Sequence, residues 1–506
     1  MSTPQKEGVL SAVLIMFSVM SFAVDRYVAT NGTGPSPYTS WATAAGNIQD
    51  AISVAIANDV VWVSNGVYAV GGVTNYPNGT ILTNRVAIYK AITVRSANND
   101  PANTVIKGAW DSLTTTNGPA AVRCVYMTND ASLVGFMLTN GATLTIAGQD
   151  HNAGGVFCES ANAVISNCVI SDNAANSSAG GARYGTLYSC ILSGNSAQYG
   201  GGVRYGVLYN CTLSANVVTQ YGGGAYQSTL YSCILSNNSA YRGGGIYEGT
   251  LYNCTVTGNR AFGGDNMNYG GGAQNSILYN CTLSGNSSTF GGGAMQSILS
   301  NCTVAGNSVL TSGGGTMFGT QYNCTILSNS VLGSFVGSGG GGGDRGIYYN
   351  CRIMGNSARL VGGGAWRTTL YNCTVVGNSA QYGGGTATSC LYNCIVYFNS
   401  ASTAGSNWYD TRFFTNCCTS PNQDGWAVGN ITNDPLFIDK GSGYGTNFVA
   451  GNYRLLNNSP CVNTGINQDW MTNAVDLDGR QRIRYGTVDM GAYETIYEGT
   501  IYRFGF

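Results

Sequence analysis

The chain has 506 residues, among them 74 glycines and 33 tyrosines, while charged residues make up only 9%. This composition fits neither an ordinary globular domain nor a charged disordered chain, and it is typical of a repetitive, turn-rich β protein. The formal net charge of −1 argues against nucleic acid as a partner.

The amino-terminal residues have the layout of an export signal. An apolar run from Val9 to Phe22 follows a weakly charged start and is too short to span a bilayer comfortably. Ser21 and Ala23 place small residues where a signal peptidase reads, which predicts cleavage after Ala23. We therefore expect a signal peptide at 1–23, a secreted or cell-surface location and no membrane span in the mature chain; the alternative is an uncleaved membrane anchor.

Residues 24–150 are expected to form an amino-terminal cap and the first coils of a solenoid. An amphipathic helix predicted over 47–57 would cover the open end of the first coil, which otherwise exposes strand edges. The block from Arg26 to Tyr68 resembles the amino-terminal cap of pectate-lyase-like β-helix proteins. The resemblance implies a parallel β-helix, and it makes polysaccharide lyase the alternative function for this chain.

A cysteine series organises residues 151–406. Its steps are 21 or 22 residues with two of 27, at Cys168, Cys190, Cys211, Cys233, Cys254, Cys281, Cys302, Cys324, Cys351, Cys373 and Cys394. This period is too short for a helix pair but fits one coil of three short strands and their turns. The predicted fold class is an all-β, right-handed parallel β-helix solenoid with a helix-containing amino-terminal cap.

Two columns of side chains should stack inside the coils. Alternation places each series cysteine and the aliphatic residue two positions later on one buried face. An asparagine follows every series cysteine by five residues, and its amide can pair with the copies above and below. We expect a buried thiol column, with sulfur pairing or metal binding as alternatives. The remaining cysteines are better disulfide candidates: Cys124, Cys158, Cys390, Cys417, Cys418 and Cys461.

The repeats resemble those of polymorphic outer-membrane proteins and related autotransporter passengers. Those repeats combine a Gly-Gly-Ala-Ile element with a hydrophobic-x-x-Asn element, and Gly223 to Tyr226 and Leu213 to Asn216 look like both. The resemblance covers Ile165 to Asn399 and implies a surface-displayed β-helix.

Two outward columns are candidates for function. The first is a tyrosine two residues before most series cysteines, whose regularity suits fold maintenance as well as binding. The second follows the glycine triplets and varies from coil to coil, as a ligand surface would. Mixed arginine and aromatic side chains can pair with acidic sugars and stack on pyranose faces. The predicted binding residues are Arg183, Arg204, Tyr226, Tyr247, Arg345 and Trp366, and a merely solvated face is the alternative.

Both 27-residue steps add residues in the same turn, at 260–268 and 330–338. Additions on one side of a solenoid often mark its working face, although longer surface loops also cost little.

The sequence predicts no catalytic residue. A β-helix lyase needs an arginine or lysine base beside carboxylates, and a hydrolase needs paired carboxylates. Between the first and last series cysteines, acids stand only on scattered coils, at Asp172, Glu248, Asp265 and Asp344. His151 is the only histidine, so a histidine-rich metal site is excluded.

The tail at 407–506 is similar to the carboxy-terminal choice-of-anchor block of bacterial surface β-helix proteins, through elements such as Asp489-Met490-Gly491-Ala492-Tyr493-Glu494. No cofactor is predicted; Asp476-x-Asp478-Gly479 could hold calcium, against the simpler interpretation as a turn. The sequence thus favours a monomeric, non-catalytic adhesive stalk or glycan-binding module whose partner is a polysaccharide or a surface protein.

Overall fold

The computed structural model describes residues 23–263, 269–411, 413–422 and 428–496, so the predicted signal peptide at 1–23, apart from its last residue, and the last ten residues of the chain lie outside the described part. Four long parallel sheets run along the molecule, and from Cys190 onwards each complete repeat coil contributes one strand to each sheet in turn. Sheet 1 follows the glycine triplet, sheet 2 carries the tyrosines, sheet 3 follows the series cysteine and sheet 4 follows the asparagine.

Sheets 1 and 2 contain 14 and 16 strands. The strands of sheet 1 are Thr83–Ile88, Val122–Met127, Val156–Cys158, Ala182–Arg183, Val203–Arg204, Ala225–Tyr226, Ile246–Tyr247, Ala273–Gln274, Ala294–Met295, Thr316–Met317, Gly343–Asp344, Ala365–Trp366, Thr386–Ala387 and Trp408–Tyr409. Those of sheet 2 are Asp25–Val28, Val60–Val63, Thr93–Ser96, Ser132–Val134, Val164–Ser166, Thr186–Tyr188, Val207–Tyr209, Thr229–Tyr231, Thr250–Tyr252, Ile277–Tyr279, Ile298–Ser300, Thr320–Tyr322, Ile347–Tyr349, Thr369–Tyr371, Cys390–Tyr392 and Phe413–Thr415.

Sheets 3 and 4 contain 15 and 10 strands. The strands of sheet 3 are Gly66–Tyr68, Thr104–Lys107, Met137–Thr139, Val169–Ser171, Ile191–Ser193, Thr212–Ser214, Ile234–Ser236, Thr255–Thr257, Thr282–Ser284, Thr303–Ala305, Thr325–Leu327, Arg352–Met354, Thr374–Val376, Ile395–Val396 and Cys418–Thr419. Those of sheet 4 are Ser196–Tyr199, Val217–Tyr221, Ser239–Ala240, Arg260–Ala261, Ser287–Phe290, Ser308–Ser312, Ser330–Val331, Ser357–Ala358, Ser379–Tyr382 and Ser400–Ala404.

The predicted fold class is confirmed, but each repeat coil has four strands where three were expected. The four corners of one coil fall at Gly222, Gln227, Ser232 and Asn237, all with positive φ between 50° and 70°. A left-handed residue breaks the alternation of a strand and redirects the chain. The fourth strand occupies residues that the sequence pattern assigned to a turn.

The core is a continuous column of aliphatic and cysteine side chains that point inward from the sheets. In one coil Leu230, Cys233 and Leu235 are all buried, as the alternation predicted. Each sulfur also serves the backbone, since the amide of Cys211 donates to Sγ of Cys233 at 3.4 Å. Cys417 continues this column, because the amide of Cys394 donates to its Sγ at 3.3 Å. No disulfide occurs in the described part of the chain, so the structure corrects the assignment of Cys417 to a group of disulfide candidates.

The asparagine ladder is confirmed. Eleven buried asparagines stack from Asn173 to Asn399, and each Nδ2 donates to Oδ1 of the copy in the next coil, at 2.9–3.1 Å. The same Nδ2 donates to a backbone carbonyl one coil before, as in Asn216 to Leu192 at 2.9 Å. The ladder therefore satisfies buried polar groups along the whole length of the repeats.

The amino-terminal helix is shorter than expected, Ile48–Val54 in place of 47–57. The Asn47 side chain caps the amino terminus of the helix by accepting the amide of Asp50 at 2.9 Å. At the carboxyl terminus, Lys90 Nζ donates to the free carbonyls of Ile52, Ser53 and Ala55 at 2.6–3.0 Å. Four short 3-10 helices complete the inventory, at Trp41–Thr43, Gln149–His151, Gly445–Asn447 and Asp469–Met471. Within the described ranges, none of the helices combines the length and apolarity needed to cross a membrane.

The carboxy-terminal block packs on sheet 3 and on the corner between sheets 2 and 3. Its antiparallel strands, Phe437–Asp439 and Asn452–Leu455, bury Phe437 and Tyr453 against Val376. Three corner asparagines hold this block by donating from Nδ2 to its backbone carbonyls: Asn350 to Val475 at 2.8 Å, Asn372 to Asp489 at 3.1 Å and Asn393 to Ile466 at 2.8 Å.

Candidate functional site

The residues of the variable column pair from strand to strand along sheet 1, and one member of the predicted column, Arg345, is corrected. Strand pairing aligns Phe157, Arg183, Arg204, Tyr226, Tyr247, Gln274, Met295, Met317, Asp344, Trp366, Ala387 and Tyr409. Asp344 thus takes the position expected for Arg345, which lies at the following corner with φ 53°. The cause is Tyr348, whose hydroxyl occupies the space of a Cβ at Gly343, so glycine fills the inward position there.

A second column flanks the first and was not recognised in the sequence. It consists of the residues just before the glycine triplets, where sheet 4 ends: Tyr199, Tyr221, Arg242, Tyr269 and Phe290. Gly222 brings the two columns together, because its φ of 70° makes a turn so tight that a Cβ would meet the Ala225 carbonyl. The recurring aromatic or arginine before each triplet is the sequence signal that could have revealed it.

We call the adjoining parts of these two columns the arginine–aromatic strip. Its members are Arg183, Arg204, Tyr226 and Tyr247 from sheet 1, and Tyr199, Tyr221, Arg242 and Tyr269 from the flank. Four of the six predicted binding residues lie in it. Trp366 lies in the same column several coils away, and Arg345 lies beside it at the corner.

Arg204 sits among aromatic rings at the centre of the strip. Its guanidinium carbon is 4.5 Å from the ring centroid of Tyr205 and 4.8 Å from that of Tyr226, and Nη2 donates to the Tyr205 hydroxyl at 2.7 Å. Tyr226 packs edge-on against Tyr247 at 5.6 Å, and Tyr247 stacks on Tyr221 at 4.7 Å. These contacts hold the rings and the cation in fixed positions.

Arg183 extends the strip one coil further. Its guanidinium lies 5.0 Å from Phe157 and 4.6 Å from Tyr184, and Nη1 donates to Gln149 Oε1 at 2.9 Å. Burial, partly offset by the neighbouring Tyr184, lowers the pKa of Arg183. In the described part of the chain no carboxylate pairs with Arg183 or Arg204, and the Nε of each has no hydrogen-bond partner. The unpaired Nε atoms are buried, so a ligand could reach only the terminal nitrogens of these two guanidiniums, which lie one coil apart.

The column beyond the strip is closed. Gln274, Met295, Met317 and Asp344 are nearly inaccessible. Tyr247, the last sheet 1 member of the strip, is also buried, with 8% of its surface exposed, so it supports the neighbouring rings and offers little surface to a ligand. The Asp344 carboxylate accepts Arg367 Nε and Nη2 at 3.0 and 2.9 Å, Arg345 Nη1 at 3.1 Å and Ser312 Oγ at 2.6 Å. This cluster brings two arginines to a carboxylate.

The two enlarged turns lie on one face, as their shared position predicted. Together with sheet 4 they border an open depression of about 440 Å³ whose apolar walls include Phe262, Leu310 and Leu332. Residues 264–268 of the first turn lie outside the described part.

The Asp476-x-Asp478-Gly479 motif forms a turn. Asp476 Oδ1 accepts the amides of Asp478 and Arg480 at 2.8 Å each, while Asp478 binds Arg454 through two hydrogen bonds of 2.7 and 2.6 Å. Arg480 adds an ion pair to Asp478 at 3.1 Å. Calcium binding at this motif stays a prediction. Across the described ranges, no cluster of three or more histidine, cysteine, aspartate or glutamate side chains is placed to hold a metal ion.

No protein-family model matches the sequence, and no curated protein matches it either. Solved structures do match: pectate lyase Pel9A, at 15% identity and a TM-score of 0.27, over 94% of this chain and 97% of that one. The A-module of a mannuronan C-5 epimerase from Azotobacter vinelandii matches at 12% identity and 0.31, over 71% and 89%. The catalytic domain of a GH87 α-1,3-glucanase matches at 11% identity and 0.32, over 76% and 68%. At such scores these likenesses carry no argument about binding or chemistry, and the fold rests on the strand pairing given above.

Proposed function

We propose that this protein is a secreted or surface-displayed β-helix that binds an acidic polysaccharide along the arginine–aromatic strip without cleaving it. The observation that carries the proposal is the pair Arg183 and Arg204, whose guanidiniums lie among aromatic rings without a carboxylate partner in the described chain. A uronate carboxylate supplies the missing counter-charge, and the tyrosine rings offer apolar surface to the sugar.

The strip is built for holding a chain and not for breaking it. It repeats along the solenoid axis about every 4.8 Å, so several residues of an extended polymer can be engaged at once. The described strip residues include no acid that could act with an arginine in catalysis; Glu248, which follows Tyr247 in the chain, accepts the side-chain amide of Gln227 at 2.9 Å. The protein acts in this proposal as a monomeric adhesive module; a surface protein is the alternative partner.

The test is retention of the purified mature protein in native gels that contain polygalacturonate, alginate or a neutral glucan. We expect retardation by the uronates alone, and loss of retardation in Arg204→Ala and Tyr226→Ala. Arg359→Ala is the matched control, because Arg359 is exposed and lies outside the strip. Equal retardation by the neutral glucan, or unchanged retardation in Arg204→Ala, contradicts the proposal. Amino-terminal sequencing of the exported protein checks the cleavage after Ala23.

The second candidate function is a polysaccharide lyase, and the Asp344 cluster is the observation that favours it. It joins a carboxylate to Arg345 and Arg367 beside Trp366, whose ring lies 3.3 Å from the Arg367 guanidinium carbon. Appearance of unsaturated uronate absorbance in the same mixtures, abolished by Arg345→Ala, would establish the lyase and overturn the non-catalytic proposal. Because both arginines and Ser312 bind the Asp344 carboxylate, we assign this cluster a structural role.

A further inference from the structure

The outward tyrosines of sheet 2 form two stacks separated by a single missing ring. Tyr188, Tyr209, Tyr231, Tyr252 and Tyr279 stack at 4.8–5.1 Å between ring centroids, with interplanar angles of 10° or less. Tyr322, Tyr349, Tyr371 and Tyr392 form the second stack at 4.8–5.1 Å. Strand register places Ser300 between Tyr279 and Tyr322, where the tenth ring would stand.

The two rings that border the gap expose their faces. Tyr279 is 36% exposed and Tyr322 42%, the latter as exposed as Tyr188 at the outer end of the first stack, whereas the inner rings of both stacks are less exposed. Two coil steps separate the bordering rings, so their centroids lie about 10 Å apart, twice the spacing within each stack. Apolar contacts at about 3.5–4.0 Å on each side leave about 2–3 Å between the contact layers. The gap therefore has room for one ring of a ligand.

The edges of the gap differ in chemistry. On the side towards sheet 3, the corner residues Asn280, Asn301 and Asn323 follow Tyr279, Ser300 and Tyr322 directly. The exposed carboxamides of Asn280 and Asn301 can meet hydroxyl groups, while Asn323 Oδ1 already accepts Asn350 Nδ2 at 3.1 Å. On the other side Ile298, 45% exposed, supplies apolar surface. Two aromatic faces, an amide edge and an apolar edge match a pyranose, which has apolar faces and a hydroxylated rim.

We propose that the gap at Ser300 is a binding slot for one pyranose ring, held between Tyr279 and Tyr322. The slot lies on sheet 2 and is separate from the arginine–aromatic strip on sheets 1 and 4. It extends the proposed glycan-binding function to a second site, yet it rests on its own geometry. It recognises the ring faces and requires no charge on the sugar.

The test uses methyl β-glucopyranoside as the probe and saturation-transfer-difference NMR as the readout. Ser300→Tyr fills the gap with the missing ring, and we expect the affinity to fall by about 5- to 100-fold, since stacking on both faces is lost. Ser236→Tyr, which adds a ring to the outer face of sheet 3, is the matched control and should bind like the wild type. Tyr322→Ala removes one wall without adding bulk, so it covers the case in which Ser300→Tyr does not fold.

Three outcomes decide against the slot. Unchanged binding in both Ser300→Tyr and Tyr322→Ala overturns it, and so does wild-type protein that shows no saturation of the glucoside. Saturation of phenol in place of the glucoside, lost in Ser300→Tyr, overturns the pyranose assignment. Binding of the glucoside that survives Arg204→Ala but not Ser300→Tyr supports the slot even where uronate polymers are not retained, so the two proposals fail separately.

Discussion

The guanidinium of Arg367 lies against both carboxylate oxygens of Asp344, with Nε and Nη2 at 3.0 and 2.9 Å. Asp344 is fully buried, and burial raises the pKa of its carboxyl despite the two arginines. Arg345 reaches one of the same oxygens from a more exposed position, with 37% of its side chain accessible against 27% for Arg367. The buried Asp344 carboxylate is therefore stabilised more by Arg367 than by Arg345.

We expect Arg367→Ala to destabilise the protein by about 3–5 kcal/mol, because it leaves the buried carboxylate with one partly exposed cation, Arg345, and the hydroxyl of Ser312. Arg345→Ala, the matched control in the same cluster, should cost less than about 1 kcal/mol. Urea unfolding followed by circular dichroism measures both. Equal losses for the two variants would show that Asp344 does not depend on the bidentate contact.

The strand register at this cluster could not be predicted from the sequence. Alternation and spacing were enough to predict the thiol column and the asparagine ladder, since both recur in every coil. They could not place the register near Asp344, because Gly339 to Gly343 are five consecutive glycines and any three of them can be the triplet. The inward Tyr348 settles it by excluding a side chain at Gly343, a packing fact with no local signal.

The fourth sheet and the flanking column of the arginine–aromatic strip were missed for a related reason. Strands such as Ser239–Ala240 have two residues, too few for a periodic pattern to register. The flanking column precedes the glycine triplets, and only the tight turn at residues such as Gly222 brings it beside the variable column. The variable column itself could be read from the sequence, but its closure from Gln274 to Asp344 could not.

Asn286 tests the ladder. Its Oδ1 accepts the backbone and side-chain amides of Asn259 at 2.9 and 3.1 Å, and its Nδ2 donates to Val256 and Asn307 at 2.9 Å each. Asn286→Ala leaves several buried polar groups unpaired, which should cost roughly 2–5 kcal/mol in unfolding free energy. Thr282→Ala on the exposed face of the same coil is the control and should cost less than about 1 kcal/mol. A loss in Asn286→Ala no greater than in the control would refute a stabilising ladder.

The buried thiols should resist alkylation in the folded protein. Burial raises the pKa of Cys124 and of Cys168 to about 12, so about one thiol in ten thousand is ionised at pH 8. Iodoacetamide at pH 8 should leave both unlabelled, as read by peptide mass spectrometry, while the same protein in urea labels fully. Rapid labelling of Cys168 without denaturant, or a disulfide at Cys168, would contradict the buried thiol column, and rapid labelling of Cys124 would contradict the burial of that thiol.

The Arg454–Asp478 pair should make docking of the carboxy-terminal block acid-sensitive. The hydrogen bonds from Arg454 lower the pKa of Asp478 below the ordinary 3.8, against an opposing effect of burial. A lowered pKa means that the stabilisation is complete above the unfolded value and is lost as the pH falls through the folded one. Exchange protection of amides at 452–494 should therefore be constant between pH 7 and 5, after correction for the intrinsic exchange rate, and should fall below about pH 4.

Asp478→Asn should reproduce that loss at pH 7, by about 1–2 kcal/mol, because the amide keeps the shape of the carboxylate without its charge and Arg454 is partly exposed. Asp469→Asn in the same block is the control, since Asp469 is exposed and belongs to no ion pair within the described ranges. Full protection of 452–494 in Asp478→Asn would mean that the corner asparagines and the apolar contact of Tyr453 with sheet 3 hold the block by themselves.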